Sequence, residues 1–299
     1  MGRAGERMLD ADRSEQLRQL ALARARVEQF DDALSLYDEA LALVESEEAR
    51  ELIIINKADA MIASGRGGPE VQKLPAILMR RRNLHHTFLA AYALMFLHRT
   101  EGNIRRAIVF GETALRASND ADQAFWKLAA LNDLGICYEI DSQFAKAIEC
   151  LDQALALTSI INDPAERKFS ETAILQNLGY NKLLVGETLN GLEIIHRVLN
   201  SIEVPSSVPD SYIDLCYGYL SLRDFEKARH YGEIGLEFAA EPRQVRNAHY
   251  LLGEAAYEMG DLESAEFHFD ELTKFYPQFR NLKKLLFAID LRSMVNLRL

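Results

Sequence analysis

Residues 128–157 read LAALNDLGICYEIDSQFAKAIECLDQALAL, and this stretch decides the fold. Leu131, Leu134, Gly135 and Tyr138 follow the spacing L-x2-L-G-x2-Y. Ala147, Leu151 and Ala154 follow A-x3-L-x2-A. Steps of three and four place apolar side chains on one stripe of a helix, so the stretch predicts two amphipathic helices joined by a short turn. Gly135, late in the first helix, and Ala147, early in the second, are small. Two small residues facing each other let helix backbones approach closely at one crossing.

The same offsets recur along the chain, and internal repetition of this kind fixes an architecture before any local propensity does. His249, Leu252, Gly253 and Ala256 lead to Ala265, Phe269, Leu272 and Pro277. Leu175, Leu178 and Gly179 lead to Gly191, Ile195 and Val198. Tyr212, Leu215, Cys216 and Tyr219 lead to Ala228, Gly232 and Gly235. Looser copies begin at Leu17 and Leu94. The early position of every second helix carries Ala or Gly: Ala33, Ala107, Ala147, Gly191, Ala228 and Ala265. An aromatic residue further on, such as Tyr37 or Phe269, is expected to fill the wedge where the next repeat docks. Gly102, Gly186 and Gly260 fall between the two helices of their repeats, where a helix end favours a left-handed residue. Pro164, Pro205, Pro209, Pro242 and Pro277 fall between repeats, where a helix stops or starts.

These residues resemble the tetratricopeptide repeat family over residues 14–279, most of the chain. The resemblance implies an all-α fold, a right-handed α-solenoid of about seven antiparallel helix pairs. Residues 48–86 read as a degenerate repeat: Leu52–Ser64 predicts a helix, Gly65–Pro69 a flexible break, and Pro75 an interruption of the partner helix. Residues 1–13, polar and charged, are expected to be a disordered extension. Residues 280–299 are expected to form a capping helix, because the last repeat has no successor to cover its apolar face.

Composition narrows the function. The 299 residues carry Lys+Arg 34 against Asp+Glu 45, a formal charge of −11. This balance argues against a nucleic-acid binder, which needs a basic face. No apolar run is long enough for a membrane span, and no signal-peptide pattern opens the chain, so a cytoplasmic protein is expected. The cysteines Cys137, Cys150 and Cys216 lack metal or disulfide spacing and read as buried core residues. Trp126 is expected to pack between repeats. His85 and His86 are adjacent and point to different helix faces, so they make a poor metal site. The Arg80–Arg82 run reads as a solvated patch. No HExxH, GxSxG or phosphate-loop motif occurs, so neither catalytic residues nor a metal or cofactor is expected.

The family resemblance also implies a groove lined by first helices. Carried onto this sequence, the groove positions are Tyr92, Phe96, Asn132, Asp133, Ile136, Gln176, Asn177, Tyr180, Asp214, Tyr217, Tyr250, Glu254 and Tyr257. Tyrosine buries area at low entropic cost and asparagine bonds a peptide backbone, so these side chains suit peptide recognition. The acids among them would bias the groove toward basic or neutral ligands. The same residues also read as ordinary solvated helix faces. A carboxylate clamp of the chaperone-binding kind is not expected. Asn177 stands at a clamp-like place, but Asn132, Asp210 and Asp214 occupy positions that need Lys or Arg. The expectation is a non-enzymatic scaffold that binds a peptide or protein partner. The alternative is a peptide-responsive sensor whose superhelix changes pitch.

Overall fold

In a computed structural model, residues 3–80, 82–202, 204, 208–292 and 297 are described, with side chains from residue 10 onward. Their regular structure is helical throughout, and no described helix is long and apolar enough to cross a membrane. The helices follow one another as α1 (Arg3–Arg26), α2 (Phe30–Leu43), α3 (Glu47–Ala63), α4 (Pro69–Arg80), α5 (Leu84–Thr100), α6 (Ile104–Asp120), α7 (Ala124–Ile140), α8 (Phe144–Leu157), α9 (Pro164–Leu184), α10 (Thr188–Ser201), α11 (Pro209–Ser221), α12 (Phe225–Phe238), α13 (Pro242–Glu258), α14 (Leu262–Thr273) and the short α15 (Leu282–Leu286). The chain divides into two compact units, residues 1–137 and 138–299, with the division inside α7.

One turn chemistry joins the helices of each pair. Glu28, Gly65, Gly102, Ser142, Gly186, Arg223 and Gly260 all have positive φ, and each follows the first helix of its pair. In every case two backbone N–H groups fold back onto the last turn. Gly102 N–H donates to Arg99 O at 3.1 Å and Asn103 N–H to His98 O at 2.8 Å. Arg223 and Asp224 do the same to Leu220 O and Tyr219 O. This double bond pattern satisfies carbonyls that the helix end leaves orphaned. The left-handed residue is glycine in four turns and a side-chain-bearing residue in three.

The first unit holds α1–α6 and most of α7. Its core includes Ala33, Tyr37, Ile53, Leu74, Leu94 and Ala107, all buried. The helix run begins at Arg3, not near Ser14. Residues 3–13 contain Ala, Glu, Met, Leu and Arg, a single glycine and no proline or β-branched residue, a composition that lets the helix extend. Pro75 lies inside α4 without breaking it. Its missing N–H forfeits one helical bond, while Leu74 and Ile77 beside it are buried and hold the helix down. Arg80 and Arg82 pair with Glu47, and Arg80 also with Glu51; Arg81 lies outside the described residues.

The second unit holds the end of α7 and α8–α15. Here Gly179 of α9 and Gly191 of α10 touch backbone to backbone. A Cβ on Gly191 would stand 2.8 Å from Gly179 O, and one on Gly179 would stand 3.3 Å from Gly191 O. A Cβ on Gly253 of α13 would stand 2.4 Å from the ring of buried Phe269 in α14. After α14 the expected long capping helix is reduced to α15. After α15 the α-helix ends, and Asp290, Leu291, Arg292 and Leu297 lie against first helices of the unit. Cys137, Cys150 and Cys216 are buried thiols outside any disulfide.

Candidate functional site

The first helices of three successive pairs build a concavity in the first unit. Ile55, Asn56 and Asp59 come from α3, Phe88, Leu89 and Tyr92 from α5, and Phe125, Trp126 and Ala129 from α7; together they enclose about 360 Å³. Their spacing of three and four puts each trio on one helix face. An aromatic ladder stiffens the wall. The Trp126 ring stacks on His85 at 4.9 Å and on Phe88 at 5.1 Å, and Phe88 stacks on Tyr92 at 5.6 Å. Trp126 is therefore held against the preceding pair. Phe125 keeps 56% of its surface in water, an uncovered ring beside a stacked wall.

Asp59 is the one acid lining this concavity. Its carboxylate reaches solvent, and it has no hydrogen-bond or ion-pair partner among the described residues. The surrounding protein thins the water around it and pushes its pKa up to about 6. Cations nearby are already engaged. Lys57 Nζ binds Asp38 at 2.6 Å and approaches Glu70 at 3.6 Å. Arg18 binds Glu15 at 2.6 Å and Asn56 Oδ1 at 2.9 Å.

Of the groove residues expected from sequence, Tyr92 lies in this wall. Its hydroxyl donates to Asp133 Oδ2. Asp133 also binds Arg99 at 2.7 Å, and the Arg99 guanidinium lies 5.1 Å from the Phe96 ring centre. Asp133 is thus neutralised within the protein and does not supply the basic preference expected of it. Asn132 and Ile136 are half-buried beside it on α7.

In the second unit the expected groove residues meet the segment that follows α14. Tyr180, Asp214, Tyr217, Tyr250 and Glu254 are all buried. Leu297 is only 1% exposed. Its N–H donates to the Tyr180 hydroxyl at 2.9 Å, and its carbonyl accepts from Asn247 Nδ2 and from Arg243 Nη1 at 2.9 Å. Arg243 in turn forks onto Asp210 at 2.9 and 3.0 Å. Phe287 sets its ring edge-on to Tyr257 and Phe269. These tyrosines therefore belong to the core of the unit; the ordinary solvated face that was their alternative reading is equally absent there. Tyr257 stays exposed, Gln176 donates to Ser211 at 3.1 Å, and Asn177 is half-buried with its carbonyl bonded to Asn181.

Glu254 carries the electrostatic cost of this cover. Its Oε1 is buried without a hydrogen bond, as is Arg292 Nη1, while Arg292 binds Asp290 through Nε and Nη2. Burial first, and the charge of Asp290 second, push its carboxyl up to about 7. A raised carboxyl contributes stability that is full below the unfolded value of 4.5 and is lost as pH rises through about 7. Glu254→Gln is therefore expected to match the parent near pH 4. Above about pH 8 it should be more stable by about 1–3 kcal/mol. Denaturant titrations across pH measure the gap; one independent of pH would show that the carboxyl titrates alike in the folded and unfolded chain.

Sequence reasoning did not single out Asn56, Asp59, Phe88 or Phe125. The signal was present as a lone acid among apolar residues in α3, KADAMIA, but the irregular glycines after it removed this repeat from the alignment.

No protein-family model and no curated protein sequence matches the chain. Solved structures do. The apo form of the quorum sensor NprR from B. thuringiensis superposes with a TM-score of 0.72 at 12% identity, covering 91% of this chain and 79% of that one. A Rap protein complexed with competence and sporulation factor gives 0.55 at 16% identity, covering 90% and 74%. A signal transduction ATPase with a tetratricopeptide repeat sensor, from Pyrococcus horikoshii, gives 0.69 at 16%, covering 92% of this chain and 44% of that one. Likeness at such low identity speaks to fold alone: the chain is an all-α solenoid of tetratricopeptide-like antiparallel helix pairs.

Proposed function

We propose that this chain is a non-enzymatic scaffold that captures a peptide or protein segment, and that the segment binds on the first-helix wall of the first unit. The observation that carries this reading is the open concavity itself. It combines an exposed aromatic ring, a stacked aromatic wall and an unpaired carboxylate, where the matching wall of the second unit is covered by the protein's own chain. Rigid aromatic anchors supply most of the energy of such contacts, since little side-chain freedom remains to be lost. The resemblance to a Rap protein seen with competence and sporulation factor supports the same reading.

Selection of peptides from a random library against the full chain tests it. The best binders are expected at micromolar Kd and to lose at least about tenfold in affinity in Phe125→Ala. Selected peptides that bind Phe125→Ala as well as the parent would move the site elsewhere and refute the assignment.

A second reading, a peptide-responsive regulator, is favoured by the covered wall of the second unit and by the resemblance to the quorum sensor NprR. A sensor should change its radius of gyration when a selected peptide saturates it. A static scaffold should keep one scattering curve.

A further inference from the structure

Resting on the binding reading above, we infer that the concavity of the first unit is a subsite for a single cationic side chain of the captured segment, an arginine, with Asp59 as its counter-ion and the Phe125–Trp126 wall as its apolar bed. Three observations converge. Asp59 is a carboxylate without a protein partner, placed among aromatic and aliphatic side chains. Its charge adds to burial, the larger cause, in raising the Tyr37 phenol, and adds last, behind burial and Asp133, in raising that of Tyr92. No lysine or arginine lines the space, and the neighbouring Lys57 and Arg18 are held by Asp38, Glu70 and Glu15. A carboxylate whose hydration is thinned by the surrounding protein and that has no cation beside it favours the arrival of one.

The aromatic wall selects among cations. A guanidinium is planar and weakly hydrated, so it loses little on lying against Phe125 or Trp126 while its N–H fork faces the carboxylate. An ammonium keeps a tighter water shell and fits an aromatic concavity less well. An anionic or neutral side chain would leave Asp59 opposed or unanswered.

The protein carries its own reporter, because Trp126 is its only tryptophan. The probe is N-acetyl-arginine amide, titrated into the full chain at constant ionic strength while tryptophan emission is followed. A saturable change with Kd on the order of 1 mM is expected for a ligand of this size. N-acetyl-citrulline amide has the same shape without the charge and is expected to give no saturation. Asp59→Asn is expected to weaken the arginine probe by at least about tenfold. Should that variant fail to fold by circular dichroism, Phe125→Ala keeps the carboxylate and is expected to weaken the probe about threefold or more. No saturation in the parent, an equal response to the citrulline probe, or unchanged affinity in the folded variants would each overturn the assignment. Tighter binding of N-acetyl-lysine amide would overturn the guanidinium preference. If the arginine probe fails while library-selected peptides still depend on Phe125, the subsite falls and the scaffold reading stands.

Discussion

Leu297→Asp is expected to release the segment that follows α14 from the first helices of the second unit, lowering the stability of that unit by about 2–4 kcal/mol. The leucine is fully enclosed, so the substitution removes buried apolar surface and asks a carboxylate to leave water beside an Arg243 already bound to Asp210. Two limits set the size. Retaining the docked position would cost the lost burial plus an unpaired charge, which exceeds what one segment returns. The chain therefore takes the cheaper course and undocks, and the loss stops at the docking energy. That energy includes the bonds of the Leu297 backbone to Tyr180, Asn247 and Arg243. Amide hydrogen exchange should show faster exchange in α9, α11 and α13 with little change in α3 and α5. Tyr180 and Tyr250 should become accessible to tyrosine-directed reagents. An unchanged exchange map would mean that the segment contributes nothing to the unit.

The helix pairs were legible because their cause is local. Period-3.6 stripes and small residues at crossings are written into consecutive residues, and Ala33, Ala107, Ala147, Ala228 and Ala265 are all fully buried. Three of the seven intra-pair turns were legible through Gly102, Gly186 and Gly260. Those at Glu28, Ser142 and Arg223 were hidden, because a non-glycine residue held left-handed by two backbone bonds leaves no mark in the sequence. The site was less legible, for a different reason. Tyr180, Tyr217 and Tyr250 have the chemistry of a binding wall, and what buries them is a segment far along the chain. Such pairing depends on where the chain runs after Pro277, not on residue type. The long capping helix failed at the same place. Leu282–Leu297 has helical spacing, yet the described chain after Leu286 leaves the helix, and Asp290 and Arg292 lock to each other instead. Asp133 was a candidate acid until Arg99, one pair earlier, proved to neutralise it, while Asp59 sat unnoticed in a repeat whose turn glycines disguised it.

Gly191→Ala decides whether the repeat alignment describes a real helix crossing. On propensity alone the change should help, since alanine in a helix interior is favoured over glycine by about 0.8–1 kcal/mol. Packing sets the opposite sign. The new methyl would stand 2.8 Å from Gly179 O and 2.7 Å from Leu183 Cδ2. The leucine end can turn aside, but a backbone carbonyl inside α9 cannot move without shifting the helix that carries it. The expected outcome is a net loss of about 1–3 kcal/mol, the usual cost of overpacking. Gly67→Ala is the matched control. It lies in the turn between α3 and α4, nothing stands within 4 Å of its added carbon, and its φ is not in the left-handed region. That change is expected to be neutral or to stabilise by about 0.4–1 kcal/mol through the unfolded chain. Urea denaturation of both variants beside the parent separates the two mechanisms. If the Gly191 variant gained stability as the Gly67 variant should, α9 and α10 would not be in backbone contact, and the small residues at the start of every second helix would need another cause.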